Sequence, residues 1–414
     1  MELTLLLDLD DTLLDTNMDV FLPAYFQGLA KHVDGIVASK IFLPALRSAT
    51  QLMLANQDPS TTLQDVFDND FYPAIGVAKS ALAVAIEDFY DHVFPTLGSL
   101  TRPHEGAADF VAWGTARGYR MAIATDPLFP QKATLQRIRW AGIDPERFEL
   151  VSSYESFHFS KSHPTFFGEI MGRLGWPDGA VLMVGNDLQR DILPAQKLGL
   201  ASFQIETARS DPSRTVGQPA GNFSELQFLL EETAGAQFEA SYRSTESILA
   251  ILRSTPAVLQ SLLAGLHNPE LTYEPTPEEW GLIEVLCHLR DTEREIHHLQ
   301  VEILLKDPNP FVPRPDAPVW AKERNYINED GPAALREFTT ARLETLEQLR
   351  GVDETIWLRK ARHAIFGPSN FREVVGFMAD HDRLHIQQVW NILMALSSSN
   401  RIGRSQKGFY MAGS

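Results

Sequence analysis

Five short apolar runs separated by helical stretches fill the first 235 residues, and none follows them. The runs are Leu3–Leu7, Arg120–Thr125, Glu149–Ser152, Ala180–Gly185 and Ala201–Ile205. Continuous apolar strands alternating with helices belong to a parallel sheet covered on both faces. The expectation for residues 1–235 is therefore a doubly wound α/β domain. The interval between the first and second runs is too long for one crossover helix. Residues from about 15 to 100 read as mainly helical, with segments near 19–33, 40–56 and 77–93. Clusters such as Asn56-Gln57-Asp58-Pro59 separate these segments. This stretch is expected to form a helical cap inserted after the first strand. A helix near 105–117 resumes the core, Glu206 to Gly221 reads as a loop containing Ser210-Asp211-Pro212-Ser213, and a helix at 223–232 closes the domain.

Beyond that point the pattern is helical only. Segments near 241–265, 278–305, 331–350 and 371–396 carry apolar residues at three-to-four spacing. Lys306 to Val319 holds five prolines and is excluded from helix. Four long helices point to a four-helix bundle over 236–400, followed by a tail, 401–414, with Arg401, Arg404 and Lys407.

Charge narrows the partners. Thirty-six basic residues against fifty-four acidic ones leave a net charge of −18, the wrong sign for sequence-independent nucleic-acid binding. Thirteen of these excess negatives fall in residues 1–235. A single cysteine, Cys287, forms no internal disulfide and reads as a buried small apolar residue. No apolar run reaches the ~18 residues of a membrane span. Met1-Glu2-Leu3-Thr4 lacks a basic signal region, so the expected location is cytoplasmic.

The first chemical signal is Asp8-Leu9-Asp10-Asp11-Thr12, directly after the first strand. Residues i and i+2 of an extended chain point the same way, so Asp8 and Asp10 can face one reacting centre. One carboxylate can attack phosphorus while the other manages protons. Such a pair needs countercharge from a hard cation and a lysine. Asp187 and Asp191, in Gly185-Asn186-Asp187-Leu188-Gln189-Arg190-Asp191, lie four apart after the fourth strand. Lys161 follows the third strand, and Thr125 ends the second.

These four motifs, in this order, resemble the haloacid dehalogenase-like hydrolase superfamily over residues 1 to about 232. The resemblance implies Asp8 as nucleophile, Asp10 as general acid/base, Thr125 as phosphoryl ligand and Lys161 as countercharge. It also implies Mg²⁺ held by Asp8, the Asp10 backbone carbonyl and Asp187, with Asp191 as a supporting acid at the same metal. Asp126 stands where the family often has Asn, and Ser162-His163-Pro164 where Pro-Asn-Pro is common. The superfamily's true dehalogenases lack an acid at the Asp10 position, which favours phosphatase chemistry on a small phosphomonoester. Phosphomutase chemistry on the same motifs stays open.

The second signal is His381-Asp382-Arg383-Leu384-His385, an i, i+4 pair on the last helix. His288, amid apolar residues of the second helix, is a third imidazole that a metal would satisfy. His297 and His298 lie off its face and are expected at the surface. Trp280, Trp320, Trp357 and Trp390 are expected in the core. The region 240–396 resembles the DinB-like (YfiT-like) bundles. That resemblance implies a divalent metal of the Zn or Ni type on His288, His381 and His385, open coordination positions, and in some members a low-molecular-weight thiol substrate. Association of two chains through the bundle is a further option. Three functions follow for comparison: a phosphatase carrying a metal-binding bundle, a bundle that is itself the main thiol transferase or metal hydrolase, and a bundle serving only as a binding or dimerisation module.

Overall fold

Leu3–Leu7 is buried along its length and forms the central strand β1 of the computed structural model. The structure describes residues 2–207, 217–233, 235–276 and 279–398. The tail 401–414 and the Ser210–Ser213 segment lie outside the described residues. In chain order the next strands are β2 (Leu14–Thr16), β3 (Thr101–Pro103), β4 (Arg120–Ile123), β5 (Leu150–Val151), β6 (Ala180–Gly185), β7 (Ala201–Ile205) and β8 (Ala220–Gly221). The main sheet runs β5-β4-β1-β6-β7-β8, every neighbouring pair parallel. All five expected strands are present. The sixth, β8, lies at the end of the stretch read as loop, because Gln204 and Ile205 of β7 pair with Ala220 and Gly221.

Strand order reverses at β1. The chain passes to β4 and β5 on one side, then to β6 and β7 on the other. A crevice forms at such a switch point, outside the carboxyl ends of the strands. Leu7 lies opposite both Ile123 and Val184, so the segments leaving β1, β4 and β6 emerge side by side.

The insertion leaves and re-enters the core through β2 and β3, which pair antiparallel. Asp11, in the turn before β2, has a left-handed φ of 55°, and its Oδ1 accepts from the Thr16 amide at 2.9 Å. Between these strands lie helices Met18–His32, Ser39–Ala55, Leu63–Ile75 and Lys79–Asp88. Leu63–Ile75 is a further helix, outside the segments expected near 19–33, 40–56 and 77–93. A reciprocal cap between Thr62 and Asp65 starts it, and Gly76 in the left-handed region ends it. Aromatic packing of Phe21, Tyr25, Phe89, Tyr90 and Phe94 holds the cap together.

The chain divides into two contact units. One comprises Met1–Phe167 and Asp178–Ala240, the other Gly168–Pro177 and the residues from Ser241 onward. The second contains the four expected long helices. They are Thr245–Leu263; a continuous helix Leu282–Thr292, Glu293–His297 (a π turn) and His298–Lys306; Gly331–Leu349; and Phe371–Ser398. The first and second helices each pack against the third and the fourth, so the first lies diagonal to the second and the third diagonal to the fourth. The expectation of helices alone is corrected by a small sheet. Strand β10 (Lys360–His363) pairs with β11 (Gly367–Asn370) and with β9 (Phe311–Val312), the last inside the proline-rich segment.

Candidate active site and candidate metal centre

The carboxyl ends of β1, β4 and β6 bring the first motif set together. Asp8 is buried, and its amide donates to Val184 O at 2.9 Å. Lys161 Nζ lies 2.5 Å from Asp8 Oδ1 and 2.5 Å from Asp191 Oδ1. Thr12 Oγ1 lies 3.2 Å from both Asp8 Oδ2 and Asn186 Oδ1. Burial, then the Asp191 charge, pushes the Asp8 carboxyl up to about 7 despite Lys161. Burial works against the Lys161 charge too, but Asp191 and Asp8 outweigh it and hold the ammonium above its usual value.

Asp191 has both oxygens occupied by protein donors: Lys161 on Oδ1, and the Asp187 amide on Oδ2 at 2.8 Å. Asp187 caps the following turn, its Oδ1 accepting from the Gln189 and Arg190 amides at 2.8 and 3.1 Å. Gly185 is required by close approach. A Cβ there would sit 2.3 Å from Asp191 Oδ2. Thr125 is buried just beyond β4, its carbonyl accepting from Ser152 Oγ at 2.7 Å. Asp126 has a local explanation. Its Oδ1 accepts from the Lys161 amide at 3.2 Å and its Oδ2 pairs with Arg190, so one side chain joins three loops.

Asp10 carries a partner that no motif announced. Arg137, on the helix Gln131–Trp140, is 1% exposed and pairs with Asp10 Oδ2. The site is thus rich in carboxylate oxygen, with Lys161 and Arg137 as its close cations. An all-oxygen donor set whose central carboxyl is pushed up by burial and by the neighbouring Asp191 charge suits a hard divalent ion. A cavity of about 670 Å³ lies beside Asp11, Asp15 and Arg102, and Asp8 does not line it.

In the second unit, His288 Nε2 lies 3.1 Å from His381 Nε2, and His385 Nε2 lies 3.2 Å from His381 Nε2. Among the described residues this trio is the one group of three or more potential side-chain ligands within 4.8 Å of one another. Burial, reinforced by neighbouring histidines, pushes His288 down to about 3 and His381 well below its usual value, and burial also lowers His385. Neutral imidazoles with converging Nε2 lone pairs fit a borderline-soft divalent metal. His385 Nδ1 is oriented by Gln388 Oε1 at 3.0 Å. Trp280 packs over His288 and stacks on His385, so it walls the site and is only half buried. Cys287 is buried outside the trio, and burial pushes its thiol up to about 12.

The expectation that His297 and His298 lie at the surface is corrected. His298 is half buried, with Gln348 Nε2 2.7 Å from its Nε2. His297 is buried, faces the His381 ring at 5.3 Å, and lines the same cavity of about 290 Å³. At ~100° per residue, nine residues of regular helix would carry it opposite His288. The π turn Glu293–His297 absorbs one more residue and rotates it back toward the cavity. Its Nδ1 meets Glu293 Oε2 at 3.1 Å, and Glu293 bonds Arg342, which also pairs with Asp382 beside His381.

Residues 3–199 match the family described as haloacid dehalogenase-like hydrolase, and residues 251–389 match the DinB superfamily. The uncharacterized protein YuaE of Bacillus subtilis (strain 168) is 23% identical over 142 residues, 31% of this chain and 87% of YuaE. YfiT from Bacillus subtilis, described as a probable metal-dependent hydrolase with an unusual four-helix bundle topology, is 16% identical. The match covers 38% of this chain and 90% of YfiT, at a TM-score of 0.35. The 2-haloacid dehalogenase from Pseudomonas syringae pv. Tomato DC3000 is 20% identical, covering 56% of this chain and all of that one, at a TM-score of 0.42. No helix among the described residues is long and apolar enough to cross a membrane.

Proposed function

We propose that this enzyme, a haloacid dehalogenase-like hydrolase joined to a DinB-superfamily domain, is a Mg²⁺-dependent phosphatase of small phosphomonoesters. The observation that carries the reading is Asp8, bonded to Lys161 at the switch point of the sheet, with Asp10 two residues on. In the first step an Asp8 oxygen attacks phosphorus, the ester P–O bond breaks, and Asp10 gives its proton to the departing oxygen. In the second, Asp10 takes a proton from water, the water oxygen attacks phosphorus, and the bond to Asp8 breaks. Lys161 offsets charge on the phosphoryl oxygens, with Thr125 as a hydroxyl donor. Asp8, the Asp10 carbonyl and Asp187 would hold Mg²⁺, which supplies further countercharge there, while Asp191 orients Lys161 and the Asp187 loop. Phosphate release from p-nitrophenyl phosphate with Mg²⁺ tests the reading. Asp8→Asn should abolish it, and retained turnover would sink the assignment.

A second reading rests on the convergent Nε2 atoms of His288, His381 and His385. They would bind one divalent metal of the Zn or Ni type, which when bound would acidify a water or a low-molecular-weight thiol. Metal content of purified full-length protein, compared with a His381→Ala/His385→Ala variant, tests it. Equal metal content removes the reading. Gel filtration of the same two samples reads whether the chain pairs in solution.

A further inference from the structure

Arg137 is a buried charge that the mechanism above does not use. Its Nε has no hydrogen-bond partner, and neither has Oδ1 of the Asp10 it pairs with. Its guanidinium carbon lies 4.5 Å from the centre of the Phe129 ring and 5.8 Å from that of Phe21. A guanidinium fork matches a carboxylate best with two parallel bonds. A buried ion pair is costly unless such bonds satisfy its remaining donors and acceptors. This pair instead keeps one unused bonding position on each side, inside an aromatic wall where electrostatic contacts are strong.

Position decides what uses them. Asp10 protonates the departing ester oxygen, so that oxygen must come within hydrogen-bond reach of its carboxyl group. Arg137 touches the same carboxyl group. A substituent one or two carbons from the ester oxygen therefore falls within reach of the guanidinium. One guanidinium, already paired with the Asp10 carboxylate, balances one added negative charge better than two, which favours a carboxylate over a second phosphate. We propose that Arg137 binds a carboxylate on the leaving group, so that the preferred substrate is the phosphomonoester of a short hydroxy acid. Binding of the substrate carboxylate fills the unused Nε position of Arg137 and holds the leaving group beside Asp10.

This inference rests on the phosphatase reading, and p-nitrophenyl phosphate separates the two. If the wild-type enzyme releases phosphate from no ester, both fall. If it turns over p-nitrophenyl phosphate, the inference stands or falls on a matched pair, 2-phosphoglycolate and 2-hydroxyethyl phosphate, assayed with the full chain and Mg²⁺. The wild-type ratio of kcat/KM should favour 2-phosphoglycolate by about ten- to a hundredfold, the range of a charge-assisted bond. In Arg137→Gln the ratio should collapse toward one. Arg137→Lys, which keeps the charge but not the fork, should retain an intermediate ratio. Melting temperature and beryllofluoride binding at Asp8 show whether each variant still assembles the site. If Arg137→Gln does not fold, an unchanged ratio in Arg137→Lys overturns the proposal. A wild-type ratio near one overturns it as well, as does a ratio that Arg137→Gln leaves intact.

Discussion

Replacing Asp8 by Asn should destroy turnover and yet stabilise the metal-free protein at alkaline pH. Asp8 is buried against Asp191 and Asp10, and the folded chain holds its carboxyl at about 7 against an ordinary value of 3.8. Between those values the folded chain keeps a proton that the unfolded chain has released. Stability therefore falls as pH rises through that window, and the deficit is complete above it. At ~1.4 kcal/mol per tenfold change in proton affinity, the deficit is about 4 kcal/mol at pH 8. An amide presents its NH2 to Lys161 less well than a neutral carboxyl would, so the net gain expected for Asp8→Asn is about 2 kcal/mol. For a domain of this size that raises Tm by about 4–8 °C. Calorimetry in EDTA should show this gap at pH 8 and a reversal at pH 4.5, where Asp8 is already protonated in the folded chain, the titration deficit has shrunk to about 1 kcal/mol and the poorer amide contact outweighs it. Adding Mg²⁺ at pH 8 should narrow the gap, because the ion binds the carboxylate and not the amide. A variant that melts below wild type at pH 8 in EDTA, or a gap independent of pH, would refute the electrostatic account of the site.

Gly185→Ala should remove most phosphatase activity, because its Cβ would meet Asp191 Oδ2 at 2.3 Å and displace the carboxylate that orients Lys161. Wild-type kcat in that variant would contradict the packing. Arg342→Leu leaves Glu293 and Asp382 buried without their cation and should cost about 3–5 kcal/mol in urea unfolding. A loss below ~1 kcal/mol would show that the network is not needed. Metal-free protein should lose bundle stability as pH falls from 6.5 toward 3, since His288, at about 3, stays neutral when folded while the unfolded chain takes up protons. His288→Leu should flatten that slope, and an unchanged slope would count against the burial of this imidazole.

Much of the site was legible because chemistry sat at strand ends and at fixed helical spacing. An apolar run ending in Asp8 places that residue at the edge of any parallel sheet that contains the run. His381 and His385, four apart on one helix, had to share a face. What stayed hidden depended on irregular backbone or distant pairing. His297 was misplaced because a π turn leaves no mark in the residue pattern that a regular helix would share. The helix Leu63–Ile75 carries Pro73 in its last turn and follows a turn-rich segment, which obscures its helical pattern in the sequence. Arg137 lies 127 residues from Asp10, in a helix with two other basic residues, Lys132 and Arg139, and nothing local distinguishes it from them.

The two donor sets also make opposite demands of a metal, which bears on how one chain could be loaded with both. Around Asp8 the donors are carboxylate and carbonyl oxygens, which suit a hard ion such as Mg²⁺ held weakly and exchanged with solvent. The histidine site offers three neutral nitrogens and, among the described residues, no carboxylate in the ligand group, a set for which Mg²⁺ has little affinity and Zn²⁺ or Ni²⁺ a high one. Millimolar Mg²⁺ should therefore activate phosphate release without displacing metal from the bundle, measured as bound Zn or Ni after desalting. The asymmetry reverses for excess Zn²⁺, which stands above Mg²⁺ at carboxylates as well and should inhibit phosphate release. A His381→Ala/His385→Ala variant should show the same inhibition, because it arises at Asp8 and Asp187. Loss of inhibition in that variant would mean that the bundle metal acts on phosphatase turnover, and the assumption of two independent sites would have to be abandoned.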